Sequence, residues 1–365
     1  MLFNSLSSLL DSAIKEGVFP CALAGISYQE KRYIIGRGYR SLTPFLEPLE
    51  ETDIFDLASL TKPLALSFIL MYLISRESKI DPLAPLENYL DLKNPLKKIS
   101  IFRFLNHTSG LKAWHPFYKS FIDNVELLNQ ERSFKLKKII QEIEREPLQY
   151  TPGKGCLYSD LGYLVLTYLL EILYEKSLDK LFEEAKRIIP CSSKAFLNFN
   201  PLKRGVSQEK IVPTSVCPWT KKILRGWVED ENTRILDGVS GVSGLFGNLY
   251  GVLEILEFLL KIYKGEKLGL SSEVVKFFME FKEEVSNFSL GFMYKSLEGY
   301  SALGKAFSKK TIGHLGFTGC SFFIDLEKDL IVILLTNRVH PERNNQKIKA
   351  FRPIFHQRLA ELLRL

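Results

Sequence analysis

Apolar residues recur at helical spacing through the first stretch of the chain, "MLFNSLSSLLDSAIKEGVFP", and Asp11 and Glu16 interrupt the pattern. An amphipathic surface helix is expected there rather than a signal peptide, which would carry a basic start and an unbroken apolar centre. The pattern then switches to strand-like runs, "ALAGISYQ" and "KRYIIGRGYR", joined by a short polar turn, which predicts a hairpin. Near the other end "CSFFIDLEKDLIVILLTN" repeats that signature with "LEKD" as its turn, and "AFRPIFHQRLAELLRL" closes the chain as a basic amphipathic helix. Between these ends lie "LALSFILMYLISRE", "LGYLVLTYLLEILYEK" and "GVLEILEFLLKIY", all apolar at helical spacing. The expected fold is α/β in the α+β sense: an antiparallel sheet formed from both chain ends and flanked by helices, with a mainly helical part inserted. We expect a single domain over 1–365, its sheet-containing part covering 1–62 and 240–365 and its helical part 63–239. The Gly/Pro/polar stretch from Phe199 to Ser243 reads as a long loop, and long loops in compact domains are often functional.

Composition narrows the function classes. With 365 residues, 46% of them hydrophobic and 25% charged, the chain can bury a large core. Net charge is +7, yet the lysines alternate with glutamates in segments such as "FKLKKIIQEIERE", the pattern of a solvated helix face. No nucleic-acid footprint is expected. The longest apolar run, Pro63 to Ile74, is about a dozen residues, short of the roughly 18 a membrane span requires. A buried core helix, no membrane partner and a cytoplasmic location are the expectations. The five cysteines are scattered with no C-x-x-C pair and no Cys/His cluster at zinc spacing, so neither a disulfide framework, a metal nor a cofactor is expected.

Three short stretches can carry chemistry. In "FDLASLTKPLAL", Ser59 and Lys62 stand three apart at what reads as a helix start, where unpaired N–H groups favour an oxyanion and Lys62 can reach the Ser59 proton. Pro63 lacks the N–H that would bond the Ser59 carbonyl, and a distorted, buried first turn is a place for a lysine to lose its charge. A lone Ser-x-x-Lys is equally an ordinary helix start. In "GCLYSDLGY", Tyr158 and Asp160 can point to one side of an extended segment; alternatively Asp160 caps the next helix and Tyr158 is a core aromatic. In "TIGHLGFTGCSFFID", His314 and Gly316 fall at the start of a strand, where glycine admits a close backbone approach; the alternative is a turn-rich strand entry with an incidental histidine.

In this order "SLTK", "YSD" and "HLG" resemble the S-x-x-K, Y-x-N and K-T-G or H-x-G series of the serine β-lactamase and penicillin-binding-protein-like superfamily. The branch is that of class C β-lactamases, D-amino-acyl peptidases and esterases. The likeness runs over nearly the whole chain, through "NHTSGL", "GWVEDENTRILDGVSGVSGLFG" and "GHLGFTGCSFFIDLEKDLIVILLTNRVHP". It implies a β-lactamase/transpeptidase-like fold and acyl transfer to water through Ser59, with Lys62 taking its proton and Tyr158 relaying a proton to the leaving group. It also implies that His314 supports the relay and faces the acidic end of a small-molecule substrate. The Ser59 and Phe317 amides would form the oxyanion hole, with Gly316 and Asp160 beside the substrate.

The departures from the family pattern bear on substrate. Asp160 stands in place of the commoner asparagine and should hold Lys62 charged, which shifts the base role toward Tyr158. Leu315 replaces a hydroxyl residue and His314 a permanent cation, so a small ester or a D-amino-acyl amide is expected ahead of a β-lactam. Glu229 and Val242 stand where the family usually has histidines, in a segment expected to fold as a glycine-turned loop; His107 is expected to fix a helix end. The rival expectations are true β-lactam hydrolysis and a non-catalytic ligand-binding protein that retains the fold.

Overall fold

The computed structural model describes residues 2–77, 79–93, 95–296, 299–304 and 307–365. Strand β1 (Cys21–Tyr28) turns back into β2 (Lys31–Ser41), with Tyr28 opposite Lys31. Gln29 and Glu30 make the turn with φ of 50° and 61°, the left-handed pair that matches the twist of a two-residue hairpin. Then follow β3 (Glu47–Pro48), β4 (Phe55–Asp56), β5 (Leu197–Phe199), β6 (Leu245–Gly247), β7 (Met293–Tyr294), β8 (Thr311–Leu315), β9 (Ser321–Asp325) and β10 (Leu330–Thr336). The main sheet has seven strands in the order β3-β2-β1-β10-β9-β8-β7. Its two halves join where β1 pairs antiparallel with β10, Ala24 opposite Leu334. This is the sheet expected from the two chain ends. A small second sheet, β4-β6-β5, carries the chain toward the site.

Strand alternation divides the core. Ala22, Ala24 and Ile26 of β1, with Val332 and Leu334 of β10, pack with Leu6, Leu10, Phe351 and Phe355 of the terminal helices Leu2–Lys15 and Ile348–Leu363. Cys21, Leu23, Ile331, Ile333 and Leu335 instead share a cluster with the helices Phe68–Arg76, Asp160–Tyr174 and Leu249–Tyr263.

Several local features differ from the sequence-based expectation. Ser59 does not open an α-helix: Ala58–Leu60 is a 3-10 turn, Lys62–Ser67 is π-helical and regular α-helix begins at Phe68. The missing N–H of Pro63 lies within this widened stretch, as the distorted first turn requires. The whole helical run, Ala58–Arg76, is 19 residues and apolar enough to cross a membrane, and 78% of its window is buried in the core. The expected loop from 199 to 243 contains 3-10 turns and a short helix, Glu231–Ile235, whose start is capped by Asp230 accepting from the Thr233 amide at 2.7 Å. His314 and Gly316 sit at the end of a strand, not its start: β8 finishes at Leu315 and Gly316 begins the turn into β9.

Candidate active site

The turn that presents Ser59 is held on both sides. As β4 ends, Leu57 donates to the Leu245 carbonyl at 3.0 Å, which ties the turn to β6. Ala58 then adopts φ +48°, a left-handed conformation costing an alanine roughly 1–3 kcal/mol. Two hydrogen bonds offset that cost: the Ala58 amide donates to Asp56 Oδ1 at 2.8 Å, and Thr61 Oγ1 donates to the Ala58 carbonyl at 2.7 Å. The same Thr61 hydroxyl accepts from the Leu245 amide at 3.1 Å. Ser59 emerges half-buried on the cleft wall.

Lys62 lies wholly buried beneath it, and each of its three N–H donors has an acceptor within reach. Nζ donates to Ser59 Oγ at 3.2 Å and to the Val242 carbonyl at 3.1 Å, and it is 2.7 Å from Asp160 Oδ1. The rings of Tyr158 and Tyr163 flank the ammonium at 5.0 and 5.2 Å. Burial pulls the lysine pKa down, but the charge of Asp160 and the contact with Tyr158 outweigh it, and the net shift is well upward. The discharged lysine that burial alone suggested is therefore not the resting state, and the expected effect of Asp160 prevails. Burial also raises the Tyr158 pKa, with Asp160 adding to the rise and polar contacts to Lys62 and Ser59 partly offsetting it. Asp160 is not the cap of its helix; Ser159 takes that place, its hydroxyl accepting from the Gly162 amide at 3.4 Å. The Asp160 carboxylate is thereby available to Lys62.

His314 is 2% exposed, and its Nδ1 lies 3.0 Å from the Leu315 carbonyl. A carbonyl only accepts, so the proton resides on Nδ1 and Nε2 is left as an acceptor, without a partner among the described residues. Burial, reinforced by the charge of Lys62, lowers its pKa to about 3. The imidazole is neutral throughout the physiological range, because desolvation and a nearby cation act in the same direction. Its ring stands 6.0 Å from that of Tyr158. On the other side of Tyr158 lies His107, 4.5 Å between ring centroids, with φ +62° just beyond the helix Ile101–Leu105 and its Nδ1 accepting from the Ser159 amide at 3.1 Å. His107 both follows a helix end and backs the tyrosine.

Beyond β8, the Gly316 amide donates to the Cys320 carbonyl at 2.7 Å, closing a turn with Phe317 at its tip. A Cβ on Gly316 would come within 2.9 Å of the Leu57 carbonyl, so glycine here lets the Phe317 turn approach the Ser59 turn. The cleft between them encloses about 760 Å³ and is lined by Ser59, Tyr158, Asp160, His314, Gly316 and Phe317 together. Of the residues proposed from sequence, only Lys62 is set behind the wall rather than on it.

Other groups that line the cleft stand outside the three motifs. Trp114, Phe288 and Met293 form apolar walls. Arg343 grips Glu229 at 2.9 Å and also pairs with Glu231, and the guanidinium of Arg338 lies 4.7 Å from the centre of the Phe317 ring. Arginines closely following the last strand, in "TNRVHPERN", are the signal that could have found them. Glu229 and Val242, at positions where the family pattern has histidines, contribute a buried carboxylate and a main-chain carbonyl. Asp230 has its pKa raised to about 6 by burial and then by the charge of Asp160.

A sheet of this topology, with a serine, a buried lysine and a tyrosine meeting at one cleft, defines the class as a serine hydrolase working through an acyl-serine intermediate. Comparison with known proteins names the family. The chain belongs to the β-lactamase family, whose model matches residues 6–185. It is 31% identical over 327 residues to an N-acetylmuramyl-L-alanine amidase of Bacillus subtilis (strain 168), covering 81% of this chain and 71% of that one. It is 29% identical over 326 residues to a protein of Escherichia coli (strain K12) described as a putative D-alanyl-D-alanine carboxypeptidase, covering 82% and 73%. Among solved structures it shares its fold with EstCE1, a hydrolase with promiscuous acyltransferase activity, at a TM-score of 0.73 and 18% identity over 97% of this chain and 98% of that one.

Proposed function

We propose that the protein hydrolyses small esters or D-amino-acyl amides through an acyl intermediate on Ser59. The observation that carries this reading is the position of Ser59 Oγ, 3.2 Å from Lys62 Nζ at the wall of the cleft. Lys62 donates to that oxygen, so the hydroxyl hydrogen is directed elsewhere, and Tyr158 is the polar neighbour placed to receive it. In the acylation step, which starts from the minor form with Tyr158 ionised, Ser59 Oγ bonds to the substrate carbonyl carbon while its proton passes to the Tyr158 phenolate. The Lys62 ammonium stabilises that phenolate before the transfer and again once the leaving group has taken the proton. The carbonyl oxygen takes its charge between the Ser59 and Phe317 amides. Collapse then breaks the bond to the leaving group, which takes the proton from Tyr158. Water repeats the sequence in reverse roles and frees the acid. Asp160 holds Lys62 in place and charged, and neutral His314 supports Tyr158 by packing rather than by charge.

Substrate choice follows from the wall of the cleft. A neutral His314 and an apolar Leu315 leave nothing at the third motif to pair a carboxylate, whereas a neutral ester loses little on entering. A second reading, a carboxylate-bearing substrate such as a β-lactam, is favoured by one observation: Arg338 lines the same cleft with no ion-pair partner among the described residues. Intact-mass spectrometry after incubation with p-nitrophenyl butyrate, a D-alanyl anilide and a penicillin separates these readings. An adduct on Ser59 with the ester or the anilide, lost in Ser59→Ala, is the expected result. Unchanged turnover in Ser59→Ala would remove the proposal.

A further inference from the structure

Asp56 is the last residue of β4 and is 2% exposed. Both of its carboxylate oxygens are taken by backbone N–H groups: Oδ1 accepts from Ala58 at 2.8 Å and Oδ2 from Glu229 at 2.7 Å. Its main-chain carbonyl accepts from the Thr318 hydroxyl at 2.8 Å, with Cys320 Sγ at 3.7 Å. One residue thus touches the turn that presents Ser59, the segment that bears Glu229 to Glu231 along the cleft, and the turn that presents Phe317. The first and third of these carry the two amides to which the oxyanion was assigned above.

We infer that Asp56 is a positioning residue that sets the two oxyanion donors against each other, its side chain aiming the Ser59 amide and its main chain, through Thr318, anchoring the Phe317 amide. The chemistry of the contacts singles out an ionised carboxylate. Two N–H groups need an acceptor at each oxygen, and an asparagine or a protonated acid would turn a donor toward one of them. A left-handed Ala58 depends on that bond, since nothing in an alanine side chain favours such a conformation.

Among the described residues no cation pairs with Asp56. The titratable groups facing it are Glu229 and Asp230 from the cleft segment and the Cys320 thiol from the Phe317 turn, while Arg343 is engaged by Glu229. Burial raises the Asp56 pKa, the two amide bonds offset part of the rise, and the charges of Glu229 and Asp230 add to it, giving about 7. Ionised Asp56 is the form that holds both amides, so the hydrolytic rate should fall as pH drops through that value.

The inference rests on the Ser59 reading, and the test separates the two. With p-nitrophenyl butyrate, Asp56→Asn should lower kcat by about 10- to 100-fold, less than the roughly 10²–10³-fold cost of removing an oxyanion donor outright, with KM changed by less than about twofold. The rate of Ser59 labelling by a fluorophosphonate should fall in parallel, and the acid limb should vanish, whereas Glu229→Gln and Asp230→Asn should each retain it. An unchanged kcat with an intact acid limb in a folded Asp56→Asn, alongside a wild-type Ser59 adduct, would overturn the inference alone. No adduct in the wild-type protein would overturn the Ser59 reading and the inference with it. Where circular dichroism finds Asp56→Asn unfolded, Thr318→Val severs only the main-chain arm. A lowered kcat at constant KM is then expected, and an unaltered kcat overturns the inference.

Discussion

Lys62 Nζ lies 2.7 Å from Asp160 Oδ1, with the lysine side chain fully buried and the carboxylate side chain 20% exposed. The ammonium is shut off from solvent and the carboxylate keeps only part of its exposure, so each is the main compensation for the other. The resting site accordingly holds an ammonium at Lys62 and a phenol at Tyr158, both with pKa values displaced upward. Proton removal from Ser59 has to draw on groups whose basic forms are scarce at neutral pH.

That arrangement sets a pH dependence. A base whose pKa is raised is populated only as pH rises, so kcat/KM should continue to climb on the alkaline side of pH 8. Asp160→Asn removes the largest influence that raises Lys62 and leaves burial, which lowers it. The alkaline limb should move to lower pH in that variant. A limb that stays in place, measured with an ester whose leaving group does not titrate, would separate the rate from the Lys62 charge.

Lys62→Met and Tyr158→Phe should each slow acylation by about two to four orders of magnitude, because each removes a member of one proton-transfer network. The double variant should be little slower than the worse single one. Pre-steady-state release of p-nitrophenol measures this, and losses that multiply would assign the two residues independent roles.

His314 should contribute no titration near pH 6.5. Its pKa of about 3 keeps it neutral wherever the protein is assayed. In His314→Gln the acid limb should keep its midpoint even where the rate falls. A limb that moves with this substitution would return a charged histidine to the mechanism.

Leu315→Thr restores a hydroxyl beside His314 and should shift the ratio of kcat/KM values toward penicillins and cephalosporins relative to p-nitrophenyl butyrate, by about 10-fold for one hydrogen bond to a charged group. Arg338→Ala should shift the ratio the other way if the second reading holds. A wild-type protein that prefers a cephalosporin to the ester would replace the esterase preference.

Gly316→Ala should separate the two turns of the cleft. The added Cβ would stand 2.9 Å from the Leu57 carbonyl, so one strand end or the other has to shift by a few tenths of an ångström. Steady-state kinetics should show kcat falling more than tenfold, with about 1–3 kcal/mol lost in denaturant unfolding. A variant with native kcat would mean that the spacing of the Ser59 and Phe317 turns is not limiting.

Part of this protein depends only on neighbours along the chain. Alternation in "ALAGISYQ" and "DLIVILLTN" fixes which side chains face which layer, because a strand can bury a face only at a period of two. Helical spacing does the same for Asp160–Tyr174 and Leu249–Tyr263, and the ordered motifs "SLTK", "YSD" and "HLG" mark the family. The electrical state and the reach of those groups arise only in the folded chain. Lys62 remains an ammonium because Asp160, far away in sequence, stands beside it where burial of the lysine leaves their attraction little screened. His314 is neutral because its ring is enclosed next to that same cation. The Val242 carbonyl, the Arg343 clasp on Glu229 and Glu231, and the meeting of three segments at Asp56 carry no motif. Each depends on segments brought together by the small sheet and the turns around it, and distance and desolvation exist only once the chain has folded.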